Sequence, residues 1–188
     1  MNSIFVSGGK LFLICVVAAL TLGIINAITE PVIAERKVLE LNMALNSLTG
    51  ELQAAEGVIV GEESVVRAYY PVLRAGKVDS FILELNGSGY GGDMKMLSRY
   101  KLNGEIISAK LMDNLETPGL GKKAENPEYM KKFIGSGSSN PVPVLKSMLE
   151  QSEAEAITGA TITFIGVAKA LDEGSRFITE GRLAKVKE

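Results

Sequence analysis

The 188-residue chain contains no histidine, no tryptophan and a single cysteine, Cys15. Without imidazole, neither a Ser-His-Asp nor a Cys-His nucleophile can be assembled, and histidine ligation of zinc or haem is excluded. One thiol excludes an internal disulfide, a CxxC redox pair and an iron–sulfur site held by this chain. A surplus of either charge is missing too. Lys and Arg number 20 against 22 Asp and Glu, a net charge of −2, and the pI near 5.4 speaks against a nucleic-acid partner. Aromatic residues make up only 6%. Redox chemistry or group transfer by such a chain has to be carried by something other than its own side chains.

What the chain does have is apolar sequence, concentrated at one end. Residues 11–28 read LFLICVVAALTLGIINAI, with no charge between Lys10 and Glu30. About 20 apolar residues cross a bilayer core of about 30 Å, so this run predicts a membrane helix. A cleaved signal peptide has a shorter apolar region ending at small residues, whereas here Thr29, Glu30 and Pro31 follow directly. Lipidation at Cys15 is disfavoured by the bulky Ile14 before it. Lys10 precedes the run and Arg36 and Lys37 follow it, so basic bias leaves the orientation undecided.

Beyond the span, Thr29 can cap a new helix with Pro31 in its first turn. Val38, Leu41, Leu45 and Leu48 recur at helical spacing in a linker ending near Gly50. From Val58 the period changes. Residues 64–73 and 77–86 read as strands joined by a turn at Ala75 and Gly76; residues 94–102 and 105–112 flank Asn103-Gly104, a strong hairpin signal. An antiparallel meander of about four strands follows from these signals. After it come a Pro/Gly loop (116–121), a short helix near 128–134, a Gly/Ser/Pro loop (135–143), and a last long helix from Thr161. Phe164, Val167, Ala168, Leu171 and Ile178 share the apolar face of that helix. The predicted class is α+β, in three segments: 1–29 with the membrane helix, 30–56 as linker helix, and 57–188 as the folded domain.

Three clusters are candidates for chemistry. Gly87, Ser88, Gly89, Tyr90, Gly91 and Gly92 make a glycine-dense strand connection, which serves equally as a plain turn or as a place where a ligand approaches the backbone. It lacks the spacing and trailing helix of a dinucleotide fold. Glu116, Thr117, Pro118, Gly119, Leu120 and Gly121 form a stiffened loop that can lie flat against a planar ligand, although Pro-Gly is also a routine turn. Thr158, Gly159, Ala160, Thr161, Ile162 and Thr163 open the last helix. Free N–H groups and the helix dipole suit an anion there, while simple N-capping accounts for only one of the hydroxyls. No Gly-Lys-Ser/Thr follows, so this is not a Walker loop.

TGATIT, preceded some forty residues earlier by ETPGLG, resembles the FMN-binding G subunit of the Rnf/Rsx ion-translocating electron-transport complex. The C subunit of the sodium-pumping NADH:quinone reductase is a close relative and the alternative membership. The resemblance covers nearly the whole chain, from the single span to the last helix. It implies an FMN joined by a phosphoester to Thr161, one per chain, with Gly159 and Ala160 keeping the turn narrow. Thr158 stands where the family has Ser or Thr, and Thr163 is expected to donate to the phosphate. Glu116, Thr117, Pro118, Gly119, Leu120 and Gly121 are expected to border the flavin. The resemblance implies further that a flavin transferase attaches the cofactor, so that Thr161 is an attachment residue; no catalytic or metal-ligating residue is expected. The chain would then relay electrons within a membrane complex of several subunits, a translocase, and would not turn over alone. The implied place is the bacterial cytoplasmic membrane, spanned once, with the flavin domain on the extracytoplasmic side.

Two positions depart from the family pattern. Glu155 stands six residues before Thr161 where Asp is usual, and Lys122-Lys123 follows the ETPGLG loop where acidic or small residues are common. Two readings of another class stay open: an anchored module holding FMN or another phosphate noncovalently, and a cofactor-free scaffold subunit.

Overall fold

The computed structural model describes residues 2–61 and 64–183. Residues 62–63, and the last five residues of the expected 57–188 domain, lie outside the described residues. The chain divides into two units, residues 1–43 and residues 44–188.

The first unit is helix. A single α-helix, α1, runs Asn2–Thr49 with Pro31 inside it, long and apolar enough to cross a membrane. The expected restart at Thr29 does not occur. The Thr29 hydroxyl donates backward to Ile25 O (2.9 Å) and Asn26 O (3.3 Å), so it serves the helix already under way and caps no new one. Proline removes one i→i−4 bond, and the helix continues through that loss.

The second unit is built on one sheet. Strands β1 (Gln53–Ala54), β2 (Val58–Ile59), β3 (Val66–Arg74), β4 (Lys77–Ser88), β5 (Asp93–Lys101) and β6 (Ile106–Asp113) pair in the order β1-β3-β4-β5-β6, with β2 also on β3. Every pairing is antiparallel. The long strands match the sequence reading; β1 and β2 are too short to show a period and were not expected. The β3–β4 turn carries positive φ at Ala75 and Gly76, the primed geometry that matches strand twist. At Asn103-Gly104 only the glycine has positive φ. Gly104 N bonds Lys101 O (3.0 Å) and Lys101 N bonds Glu105 O (2.8 Å), a three-residue loop in place of the tightest hairpin.

Helix α2 (Pro127–Met130) continues as a 3-10 turn (Lys131–Phe133), and the expected helix near 128–134 is this composite. Asn126 caps it by accepting from Glu128 N. A further short helix, α3 (Gln151–Ala156), was not expected, its polar sequence offering no apolar stripe. The last helix, α4 (Thr161–Thr179), buries Phe164, Val167, Ala168, Leu171 and Ile178 as its spacing predicts. These pack with Phe81, Leu83 and Leu85 of β4 and Met94, Met96 and Tyr100 of β5 in one cluster. Tyr100 donates its buried hydroxyl to Leu171 O at 3.0 Å. The other face of the sheet buries Val72, Ile82 and Leu97, and Ala44 and Leu45 at the end of α1 are buried as well. Arg99 reaches from this face to the helix end, donating to Leu48 O (3.0 Å) and Thr49 O (3.3 Å); these are the carbonyls a helix leaves unpaired.

Candidate functional site

One carboxylate joins the three motifs singled out in the sequence. Glu116 is 3% exposed. Its Oε1 accepts from Gly91 N (3.0 Å) in the glycine-dense connection, and its Oε2 accepts from the Thr163 hydroxyl (2.6 Å) in the first turn of α4. Two segments make room for it by having no side chain. A Cβ on Gly89 would strike Oε1, and a Cβ on Gly121 would strike Oε2 and come within 2.7 Å of Thr163 Oγ1. A Cβ on Gly166 would likewise strike Ser88 O, so the backbone of α4 rests directly on the end of β4. The glycine-dense connection, which reads in sequence as a possible plain turn, is part of the site's frame.

The loop after Glu116 turns tightly. Leu120 N bonds Thr117 O at 3.2 Å, with Pro118 and a positive-φ Gly119 between them, the type II pattern. Thr117, Pro118 and Gly119 are exposed while Gly121 is buried. The turn presents Leu120 beside Gly159, whose ideal Cβ would lie 3.2 Å from Leu120 Cδ2 and whose φ is +87°. The ETPGLG and TGATIT loops therefore touch.

At the start of α4 no side chain caps the helix, and the first of its amides to be bonded is Phe164 N, to Ala160 O at 3.0 Å. Free N–H groups and the positive end of a 19-residue helix come together here, an arrangement complementary to a phosphoryl group.

The three threonines differ in what their hydroxyls do. Thr158 Oγ1 accepts from Lys146 Nζ (2.9 Å) and donates to Ala154 O (3.4 Å). Thr163 donates to Glu116. Its single hydrogen is thereby engaged, so the expected donation to a phosphate would need this bond to be given up. Half-buried Thr161 is the one with no side-chain hydrogen bond among the described residues.

Large apolar side chains stand exposed around this end of the sheet: Leu115 (75%), Tyr90 (73%), Ile162 (54%) and Leu120 (43%). Leu115 and Tyr90 flank the Glu116 latch in sequence, and Leu120 and Ile162 border Gly159 and Thr161, so a planar apolar ligand anchored at the helix terminus would find partners. Behind them Tyr129 has a buried hydroxyl with no partner; burial, and then the charge of Glu116, push its pKa far up. The Lys132 ammonium lies 3.4 Å from the centre of the Tyr129 ring, and burial lowers its pKa. Neither Lys146 nor Tyr129 belongs to a motif, and no periodicity could have selected them. Glu155 is exposed on α3 and accepts from Gln151 at 3.1 Å. Lys122 lies 3.7 Å from Glu125. An open cleft of about 620 Å³ lies at the other end of the sheet, around Arg74, Asp79, Arg99 and Lys101, away from all three motifs.

Comparison with known proteins covers the same residues. The family model described as an FMN-binding domain matches residues 89–175, from the glycine-dense connection through most of α4. The G subunit of the ion-translocating oxidoreductase complex of Cereibacter sphaeroides is 32% identical, covering 92% of this chain and 83% of that protein. The G subunit of the proton-translocating ferredoxin:NAD(+) oxidoreductase complex of Clostridium ljungdahlii is 25% identical over 95% of this chain and 93% of its own length. The Na(+)-translocating counterpart of Acetobacterium woodii is 27% identical over 91% and 87%. Among solved structures, NqrC of Shewanella oneidensis is 19% identical, with a TM-score of 0.47 over 60% of this chain and 58% of that one. The second unit is thus an FMN-binding domain of α+β class behind an apolar membrane-anchoring helix. The chain belongs to the family of G subunits of ion-translocating oxidoreductase complexes. That membership decides between the two related families that the motifs left open.

Proposed function

We propose that this chain is a membrane-anchored flavoprotein subunit of an ion-translocating oxidoreductase complex, carrying one FMN joined by a phosphoester to Thr161. The observation that carries the reading is the state of the three threonine hydroxyls: two are held by the protein, and Thr161 is unengaged at an uncapped helix terminus. FMN, when bound, supplies one- and two-electron redox chemistry. The chain's own residues hold it. The first-turn N–H groups of α4 offset phosphoryl charge, Gly159 leaves space beside the attachment point, and Leu120 and Ile162 offer apolar contact to a flat ring. With no histidine anywhere in the chain and no thiol after Cys15, the protein contributes position and electrostatics and no redox group of its own.

The same reading places other subunits of the complex as electron donor and acceptor, and a flavin transferase as the maturation partner. Exposed Glu155, one short helix ahead of Thr161, is a surface such a transferase can reach. The flavin domain is assigned to the extracytoplasmic side of a bacterial cytoplasmic membrane. The relatives' names differ in their ion, proton in one and Na(+) in another, so no coupling ion is assigned to this chain.

The test is direct. Protein from a host that has the transferase is denatured, run on a gel and viewed under ultraviolet light. A fluorescent band and an intact mass heavier by one FMN less one water are expected, and Thr161→Ala is expected to abolish both. A dark band from such a host contradicts the covalent link; FMN that co-purifies but is lost on denaturation indicates the noncovalent module. For sidedness, Ser139, exposed in the loop after α2, is changed to Cys and probed with an impermeant thiol reagent on intact cells. Labelling only after lysis would place the domain in the cytoplasm.

A further inference from the structure

The ETPGLG loop begins with a residue whose carboxylate is turned onto protein groups. Both oxygens of the Glu116 carboxylate are occupied by protein donors, Gly91 N and the Thr163 hydroxyl, and the side chain is buried. No ion pair compensates it among the described residues. A buried carboxylate without a cation is an expensive way to tie two segments together, and a neutral amide of the same shape would do so at lower cost. What a carboxylate does and an amide does not is accept only. It obliges Thr163 to act as the donor.

We infer that Glu116 is a positioning residue that selects Thr161 as the attachment point: it draws the proton of Thr163 inward and fixes the first turn of α4, leaving Thr161 the free hydroxyl of the pair. The inference rests on the covalent reading above. Three further features agree with it. Gly89 and Gly121, on two separate segments, both lack the Cβ that would strike the carboxylate. The 2.6 Å contact has the length of a charge-assisted O–H···O bond. Gly91 N fixes the other oxygen, so the carboxylate cannot rotate out of line.

Replacing Glu116 by Gln keeps an acceptor for Gly91 N but points an NH2 at Thr163, whose hydroxyl must then turn its proton elsewhere. The experiment compares the wild type, Glu116→Gln, Thr163→Val and Thr163→Ser in the full chain, co-expressed with the transferase. Occupancy is followed over time by intact mass, and the modified residue is located by peptide mapping. Amide hydrogen exchange is recorded for residues 161–165 in every variant before flavin is attached. Expected are about tenfold slower loading in Glu116→Gln and Thr163→Val, the size of effect a lost buried hydrogen bond has, with part of the Glu116→Gln adduct at Thr163. Loading within about twofold of wild type is expected in Thr163→Ser, which keeps the hydroxyl. Exchange at 161–165 should rise about tenfold in Glu116→Gln while residues 167–178 stay protected. Wild-type loading confined to Thr161 together with wild-type exchange in Glu116→Gln would overturn the inference, even if that variant melts lower. A wild type without covalent flavin would instead sink the reading beneath it, and the exchange data would still decide whether the latch exists.

Discussion

Two carboxylates sit at opposite ends of the same sheet and are used in opposite ways. Asp79, near the start of β4, pairs with Arg74 (2.9 Å) and Arg99 (3.0 Å) and accepts from Ser80 (3.2 Å). Arg99 extends that cluster to Ser80 Oγ and to the last carbonyls of α1. Each charge there has an opposite charge, and part of the cluster meets water, the usual arrangement of a structural ion network. Glu116, beyond the far end of β4, has a hydroxyl and an amide for partners, glycines around it and almost no exposure. The first end is built for stability. The second buries a carboxylate that has no cationic partner among the described residues and is held by one amide and one hydroxyl.

Substitutions can widen or close this contrast. The largest expected effect is Glu116→Ala, which strands the Gly91 N–H and the Thr163 hydroxyl and opens a cavity; about 3 kcal/mol of stability is expected to go, read by urea unfolding of the full chain in detergent. A loss below about 0.5 kcal/mol would show that the burial of Glu116 is incidental. Next is Arg99→Ala. Removing its bonds to Leu48 O, Thr49 O and Ser80 should cost about 2 kcal/mol, with faster amide exchange at residues 44–54 and none at 161–165. An equal response at both places would mean the two ends are not separable. Gly121→Ala and Gly119→Ala come third as a pair. The first drives a methyl into Glu116 and should cost about 1–3 kcal/mol. At Gly119 the added Cβ meets open space at φ +79° and only the backbone penalty of about 1 kcal/mol applies.

The acid response should come from the Asp79 end and be smaller still. Burial pushes the Asp79 carboxyl up, but the Ser80 hydroxyl and the Arg74 and Arg99 guanidinium groups together hold it below its ordinary value. On acidification the unfolded chain takes up this proton first. The contribution is therefore complete above about pH 4 and is lost as pH falls through the lower folded value. Asp79→Asn should flatten that part of an acid titration of stability while leaving Thr161 loading untouched. Smallest is Lys101→Ala, which removes an exposed i,i+4 pair with Glu105 and should change stability by less than about 0.5 kcal/mol.

Much of the second unit could be read from residue order because its signals are local. Alternation and β-branched runs located β3 to β6, and the apolar spacing of α4 was met position by position. β1 and β2, two residues each, exist only through pairing with β3, and no local pattern encodes them. The restart at Thr29 was misread for a related reason: a threonine two residues ahead of a proline looks like a cap, yet the same hydroxyl can bond backward inside an existing helix. At the site, the motifs identified which loops meet but not how they are fastened. Glu116, expected to border the ligand, is fastened to Gly91 and Thr163, contacts 25 and 47 residues away in sequence. Lys146 on Thr158 and the orphan hydroxyl of Tyr129 likewise arise from tertiary proximity, which composition and spacing do not carry.

Pro31 has a mechanical consequence. Lacking an N–H, it leaves the Ala27 carbonyl without its partner one turn earlier, while the Thr29 hydroxyl shares the neighbouring carbonyls of Ile25 and Asn26. Away from its two ends, α1 loses an axial bond at this turn, so the bending stiffness of the rod falls there. A sideways load on the helix would be taken up at residues 27–31, as at the thinned section of a beam, and the turns on either side would stay straight.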